Sequence, residues 1–152
     1  MKTMFKKFFK QDPDVIDLPV NFGGYYTYKE DDGKYAAYRL LDFNKDVLHR
    51  RLLEGHFDHK PSLEEVKAMK PLMHVPQAAT TLLRQTDLTL LGSEPLTKED
   101  VSGYEQYLES ALEIPHDEAE AFMEKIIGFS HEGTGKLRLR RDPNNSQSFV
   151  KA

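Results

Sequence analysis

Three runs of strand-forming residues, Tyr25–Glu30, Lys34–Phe43 and Val47–Leu53, are separated only by Asp31-Asp32-Gly33 and Asn44-Lys45-Asp46. Aspartate and glycine in so short a gap favour a tight chain reversal, and strands joined this closely pair antiparallel. The segment therefore predicts a three-stranded antiparallel meander. Because side chains alternate along a strand, Val47, His49, Arg51 and Leu53 share one face of the third strand, and Leu48, Arg50 and Leu52 share the other.

The rest of the chain reads mainly as helices. In Pro61-Ser62-Leu63-Glu64-Glu65, Ser62 can cap the amide of Glu65, whose carboxylate reaches back, and Pro71 ends that helix. Pro76 is expected to open a short helix through Ala78–Arg84, and Thr86–Leu91 has the content of a fourth strand. Thr97 predicts a helix over Lys98–Glu113, with Val101, Tyr104, Leu108, Ala111 and Leu112 as its buried stripe. Gly103 inside that helix costs about 1 kcal/mol relative to alanine, which points to a close backbone approach there. Pro115 breaks the helix. Asp117 restarts one whose Ala119, Phe122, Met123, Ile126 and Ile127 face inward, with Gly128 as its stop.

A chain of 152 residues supports one hydrophobic core. The expectation is one α+β fold, an antiparallel β-meander of three to five strands packed by three to five helices. Residues 1–11 form a basic amphipathic N-terminal segment, 12–135 a single globular domain, and 136–152 a basic C-terminal hairpin or flexible tail. Met1, Met4, Phe5, Phe8 and Phe9 follow helical spacing, which suits packing on the core first and membrane-surface contact through residues 1–10 second. The segment lacks the continuous apolar stretch and cleavage site of a secretory signal and is not expected to be removed.

Composition removes several function classes. With no cysteine, the chain has no disulfide, thiol nucleophile or cysteine-ligated metal, which agrees with a reducing, cytoplasmic location. No apolar run approaches the roughly 18 residues that span a bilayer. Of the 21 lysines and arginines, four lie in residues 1–10 and five in residues 136–152, so the remaining 12 face 24 of the 25 acids. An acidic body of this kind disfavours nucleic acid and favours a basic partner.

The densest chemistry lies in residues 48–61, where His49, His56 and His59 accompany Arg50 and Arg51. His56-Phe57-Asp58-His59 offers two imidazoles and a carboxylate, but His-x-x-His alone is a weak metal signal, and solvated turn histidines are expected. His49 and Arg51 point the same way from their strand. A buried arginine needs an acidic partner, so a structural ion pair is the first expectation and a small-anion site the second. The glycine-rich segment 128–137 lacks the residues and context of a phosphate loop or a nucleophile elbow. No catalytic residue, metal or cofactor is assigned. The possible ligand-binding residues are His49, Arg51, His56 and His59, which would serve a small-ligand-binding domain or a hydrolase.

The acidic helices dominate the expected surface. Ten acids lie between Leu91 and Glu124, with Lys98 as the single base. Glu105, Glu109 and Glu113 form an i, i+4, i+8 ladder that repels itself by a few tenths of a kcal/mol per pair. A basic protein would offset that repulsion, and Glu99, Asp100, Glu105, Glu109 and Glu113 are its predicted contacts.

The order His49-Arg-Arg51-Leu52, Phe57, Lys60-Pro61, His74-Val-Pro76 and Pro95-Leu-Thr97-Lys-Glu99-Asp100-Val-Ser-Gly103-Tyr104, then Tyr107-Leu108, resembles a set of small uncharacterised bacterial proteins. Their pattern has a His-x-Arg-Leu strand and a Thr-x-Glu-Glu-Leu-x-Gly-Tyr helix. The likeness spans about residues 35–110. Lys60 stands in place of an arginine, Tyr107 in place of a common tryptophan, and Glu109–Glu113 in place of a glycine-rich continuation. The resemblance implies a bacterial α+β module with His49, Arg51 and Tyr104 as framework positions and no assigned catalysis. The acidic helical surface makes non-catalytic binding of a basic protein the expected function, and small acidic bacterial proteins of this kind include toxin-neutralising immunity proteins, so an immunity role is expected by analogy alone.

Overall fold

A computed structural model describes residues 15–44, 47–78, 85–132, 135–142 and 145–151, with the backbone alone described at residues 15–20, 44, 135–142 and 145–151. In chain order the elements are β1 (Val15–Val20), β2 (Gly24–Lys29), β3 (Tyr35–Asn44), β4 (Val47–Leu53), α1 (Leu63–Lys67), β5 (Pro71–Ala78), β6 (Thr86–Ser93), α2 (Lys98–Ser110), α3 (His116–Ser130), β7 (Gly135–Asp142) and β8 (Asn145–Lys151). The fold is α+β. A five-stranded sheet has the order β5-β4-β3-β2-β6, and a three-stranded sheet has the order β1-β7-β8. All neighbouring strands run antiparallel.

The meander β2-β3-β4 forms where its turns predict it. Gly33, at φ +85°, takes the left-handed conformation of the β2-β3 turn, and the Gly33 amide donates to the Glu30 carbonyl at 2.9 Å. Ser62 and Thr97 each make a complete capping box, which fixes the starts of α1 and α2.

Two helical boundaries and one element differ from expectation. Helix α2 ends at Ser110, because Glu113 adopts a left-handed φ of +55° and the reversed chain brings the Ile114 amide to the Leu108 carbonyl. Helix α3 runs past Gly128 to Ser130, whose buried hydroxyl accepts from the Leu96 amide at 2.8 Å and anchors the last turn. Pro76 opens no helix up to Ala78. It lies in β5, paired with His49, while residues 79–84 of the expected helix lie outside the described residues. The amphipathic segment 1–11 also lies outside them.

The five-stranded sheet is apolar on both faces. Tyr26, Tyr38, Leu40 and Leu48 form the buried cluster of one face. On the other, Tyr25, Ala37 and Leu53 pack with Val66 of α1, while Leu41 packs with Val101, Tyr104 and Leu108 of α2 and Ala119, Met123 and Ile126 of α3. A register shift between Leu40 and Asp42 interrupts the β3-β4 ladder. Beyond this bulge Leu41 and Asp42 both serve the helix side, and Phe43 returns to the opposite cluster.

Candidate functional site

Strand register builds a row of side chains across the helix-facing side of the sheet. Tyr25 of β2 pairs with Arg39 of β3, Arg39 with Arg51 of β4, and Arg51 with His74 of β5. The Arg39 guanidinium lies 4.7 Å from the Tyr25 ring centroid and donates to the carbonyls of Gly23 and Glu94. Two like charges side by side need an acid. Asp100, in the first turn of α2, supplies it, with Oδ2 3.0 Å from Arg39 Nη1 and Oδ1 3.6 Å from Arg51 Nη1. The same carboxylate accepts from the Thr97 amide, so the cap of α2 and the ion pairs lock the helix to the sheet together.

One step along the strands, His49 Nδ1 and His74 Nε2 are 2.9 Å apart. Their rings stack, and both stack on Tyr104, whose centroid is 4.1 Å from His49 and 5.0 Å from His74. Tyr107 tilts against both imidazoles. The Tyr104 hydroxyl donates to Asp42 Oδ2 at 2.8 Å. Burial disfavours the charged imidazolium and pushes His49 down to about 3, with the neighbouring His74 adding to the shift; burial alone lowers His74 to about 4. A short contact between ring nitrogens requires one to donate and the other to accept, which two neutral imidazoles satisfy.

Gly103 lets α2 approach this site. A Cβ there would lie 3.2 Å from the Cβ of His74, so the close approach expected from the sequence is to β5. Two clefts flank Tyr107. One, of about 470 Å³, is lined by Arg51, His74, Asp100, Ser102, Gln106 and Ser110 among others, and its walls are polar and apolar in equal measure. The other, of about 510 Å³, is lined by Val47, His49, Leu112, Ile114, Phe122 and Glu118 and is mostly apolar.

His56 and His59 do not join His49. His56 Nε2 is 2.8 Å from Glu30 Oε1 and His59 Nε2 is 3.0 Å from Glu65 Oε2, both on the exposed surface. His74, absent from the possible ligand-binding residues, is the imidazole that meets His49. Its signal was the alternation of Leu72, His74 and Pro76, hidden by reading Pro76 as a helix start.

Of the predicted partner contacts, Asp100 is engaged by Arg39 and Arg51. Glu99 and Glu113 are exposed, and Glu105 and Glu109 are half-buried. Glu109 Oε2 lies 2.8 Å from His116 Nδ1, and this hydrogen bond raises the His116 pKa above 6.5, with Glu120 and Glu105 adding to it. Among the described residues, Glu105, Glu109 and His116 also bring three potential metal donors within 4.8 Å of one another. Lys98 lies 3.5 Å from Glu120.

Set against known protein families, curated proteins and solved structures, the chain matches none. Among the described residues, no helix is long and apolar enough to cross a membrane.

Proposed function

We propose that this protein is a non-catalytic protein-binding module whose acidic helical face engages a basic partner, with neutralisation of a toxin as an immunity protein the sharpest form of that role. The observation that carries this reading is the apolar cleft beside the acidic helices. Leu112 is 53% exposed at its edge, and Glu118 stands in its wall. Glu105, Glu109 and Glu113 belong to α2 and the turn that follows it, and the lysine on this helix, Lys98, already faces Glu120. An apolar recess that takes an anchor side chain, with one acid in its wall and further acids on the same helices, suits a protein-binding hot spot with electrostatic steering.

The test is the binding of a basic protein recovered as a stoichiometric complex from the source cells, followed by surface plasmon resonance between about 50 and 300 mM salt. The association rate should fall as salt rises, and Glu105→Lys with Glu109→Lys should lower it further. Leu112→Asp should mainly speed dissociation. A complex insensitive to salt, to charge reversal and to Leu112→Asp would overturn the reading.

A further inference from the structure

The charge count around Asp100 leaves one cation over. Arg39 and Arg51 share this single carboxylate, and the 3.0 Å contact to Arg39 is closer than the 3.6 Å contact to Arg51. The nearby Glu94 carboxylate is taken by Lys67 at 2.6 Å and by the Tyr25 hydroxyl at 3.1 Å. Arg51 gives its Nε hydrogen to the Leu72 carbonyl at 3.1 Å, which leaves Nη2 without a hydrogen-bond partner among the described residues. The same arginine lines the 470 Å³ cleft together with its partner Asp100, opposite the Gln106 amide and the hydroxyls of Ser102 and Ser110, which donate to the Glu99 and Gln106 carbonyls and so present their oxygens as acceptors. Its volume falls within the range of small-molecule sites.

We infer that this cleft binds a small monocarboxylate carrying hydroxyl groups, held by the free edge of Arg51 and by the polar side chains of α2. The single surplus charge selects a monoanion. A dianion would leave net negative charge facing Asp100, whereas one carboxylate completes a neutral set of two guanidiniums and two carboxylates. The hydroxyls of such a ligand meet Ser102, Gln106 and Ser110, and its carbon chain meets Tyr107. The site uses the side of α2 that carries Ser102, Gln106 and Ser110, and of the acids predicted to meet a basic partner only Asp100 lines it.

Glycerate is a suitable probe, with glycerol as its uncharged counterpart and inorganic phosphate as the competing oxyanion. Amide NMR of the full chain near neutral pH should show saturable shifts at Leu72, Ser102 and Gln106 with glycerate and none with glycerol at the same concentration. Arg51→Met removes the cation, and Ser102→Phe fills the cleft while leaving the Arg51 ion pair intact. Each should weaken glycerate binding by about tenfold or more. An unchanged melting temperature for Ser102→Phe separates loss of the site from loss of the fold. The inference is overturned if glycerate gives no saturable shift, if phosphate saturates the same amides at lower concentration, or if Ser102→Phe binds glycerate as the wild type does.

Discussion

Tyr104 and Asp42 meet where helix α2 lies on the sheet, the phenol donating to the carboxylate at 2.8 Å with both residues buried. Regular alternation would send Leu40 and Asp42 to the same side. The bulge in β3 turns Asp42 toward the helix instead, where the hydroxyl waits. A hydrogen bond to a buried charged acceptor is worth more than one between neutral groups, so Tyr104→Phe should lower stability by about 2 kcal/mol. Urea unfolding measures this as a reduced midpoint with an unchanged slope. A loss below about 0.5 kcal/mol, the scale of an ordinary surface change, would show that the pair does not hold the helix.

Gly103 and Gly128 both lie inside helices, yet alanine should act oppositely at the two. At Gly128 an added Cβ meets nothing within 4 Å, so Gly128→Ala should stabilise by up to about 1 kcal/mol through helix propensity. At Gly103 it would lie 3.2 Å from His74 Cβ. That atom cannot swing away, because it is fixed to β5 and its ring is stacked on Tyr104. Gly103→Ala should therefore destabilise despite the same propensity gain, and should shift the His74 ring resonances. Thermal unfolding of the two variants in one buffer decides the matter, and a more stable Gly103→Ala would refute the tight crossing.

These contrasts show which features were legible in the sequence. The meander and the starts of α1 and α2 follow from residues within four positions of one another, such as Gly33 in its turn and Thr97 with Asp100. Strand β5 was not legible because it carries Pro71 and Pro76, which read as helix punctuation. Its place at the edge of the sheet explains their tolerance, since a proline there need not interrupt a ladder on both sides. Missing β5 meant missing His74. Asp100 read as one more acid of a solvent-facing helix because Arg39 and Arg51, which claim it, come from distant strands. His49 and Arg51, by contrast, share a face as alternation required, and His56 and His59 lie elsewhere.

The His49–His74 pair makes acid sensitivity a property of this crossing. Both folded-state pKa values, about 3 and about 4, lie below the ordinary 6.5. Above 6.5 the folded and unfolded chains hold these imidazoles alike, neutral, and the pair contributes no pH dependence. Between 6.5 and about 4 the unfolded chain takes up protons that the folded chain refuses, so stability falls as pH falls, and rises with pH through the same window. Two such groups, discounted for the partial exposure of His74, give roughly 1–2 kcal/mol per pH unit. Urea unfolding of the wild type and of His49→Gln/His74→Gln, from near neutral pH down to about 4.5, isolates this contribution from that of the carboxylates. The double variant should be less stable at neutral pH and show a shallower decline on acidification. Equal slopes would mean that the imidazoles gain protons in the folded protein as readily as in the unfolded chain, which the stack on Tyr104 and the short nitrogen–nitrogen contact should prevent.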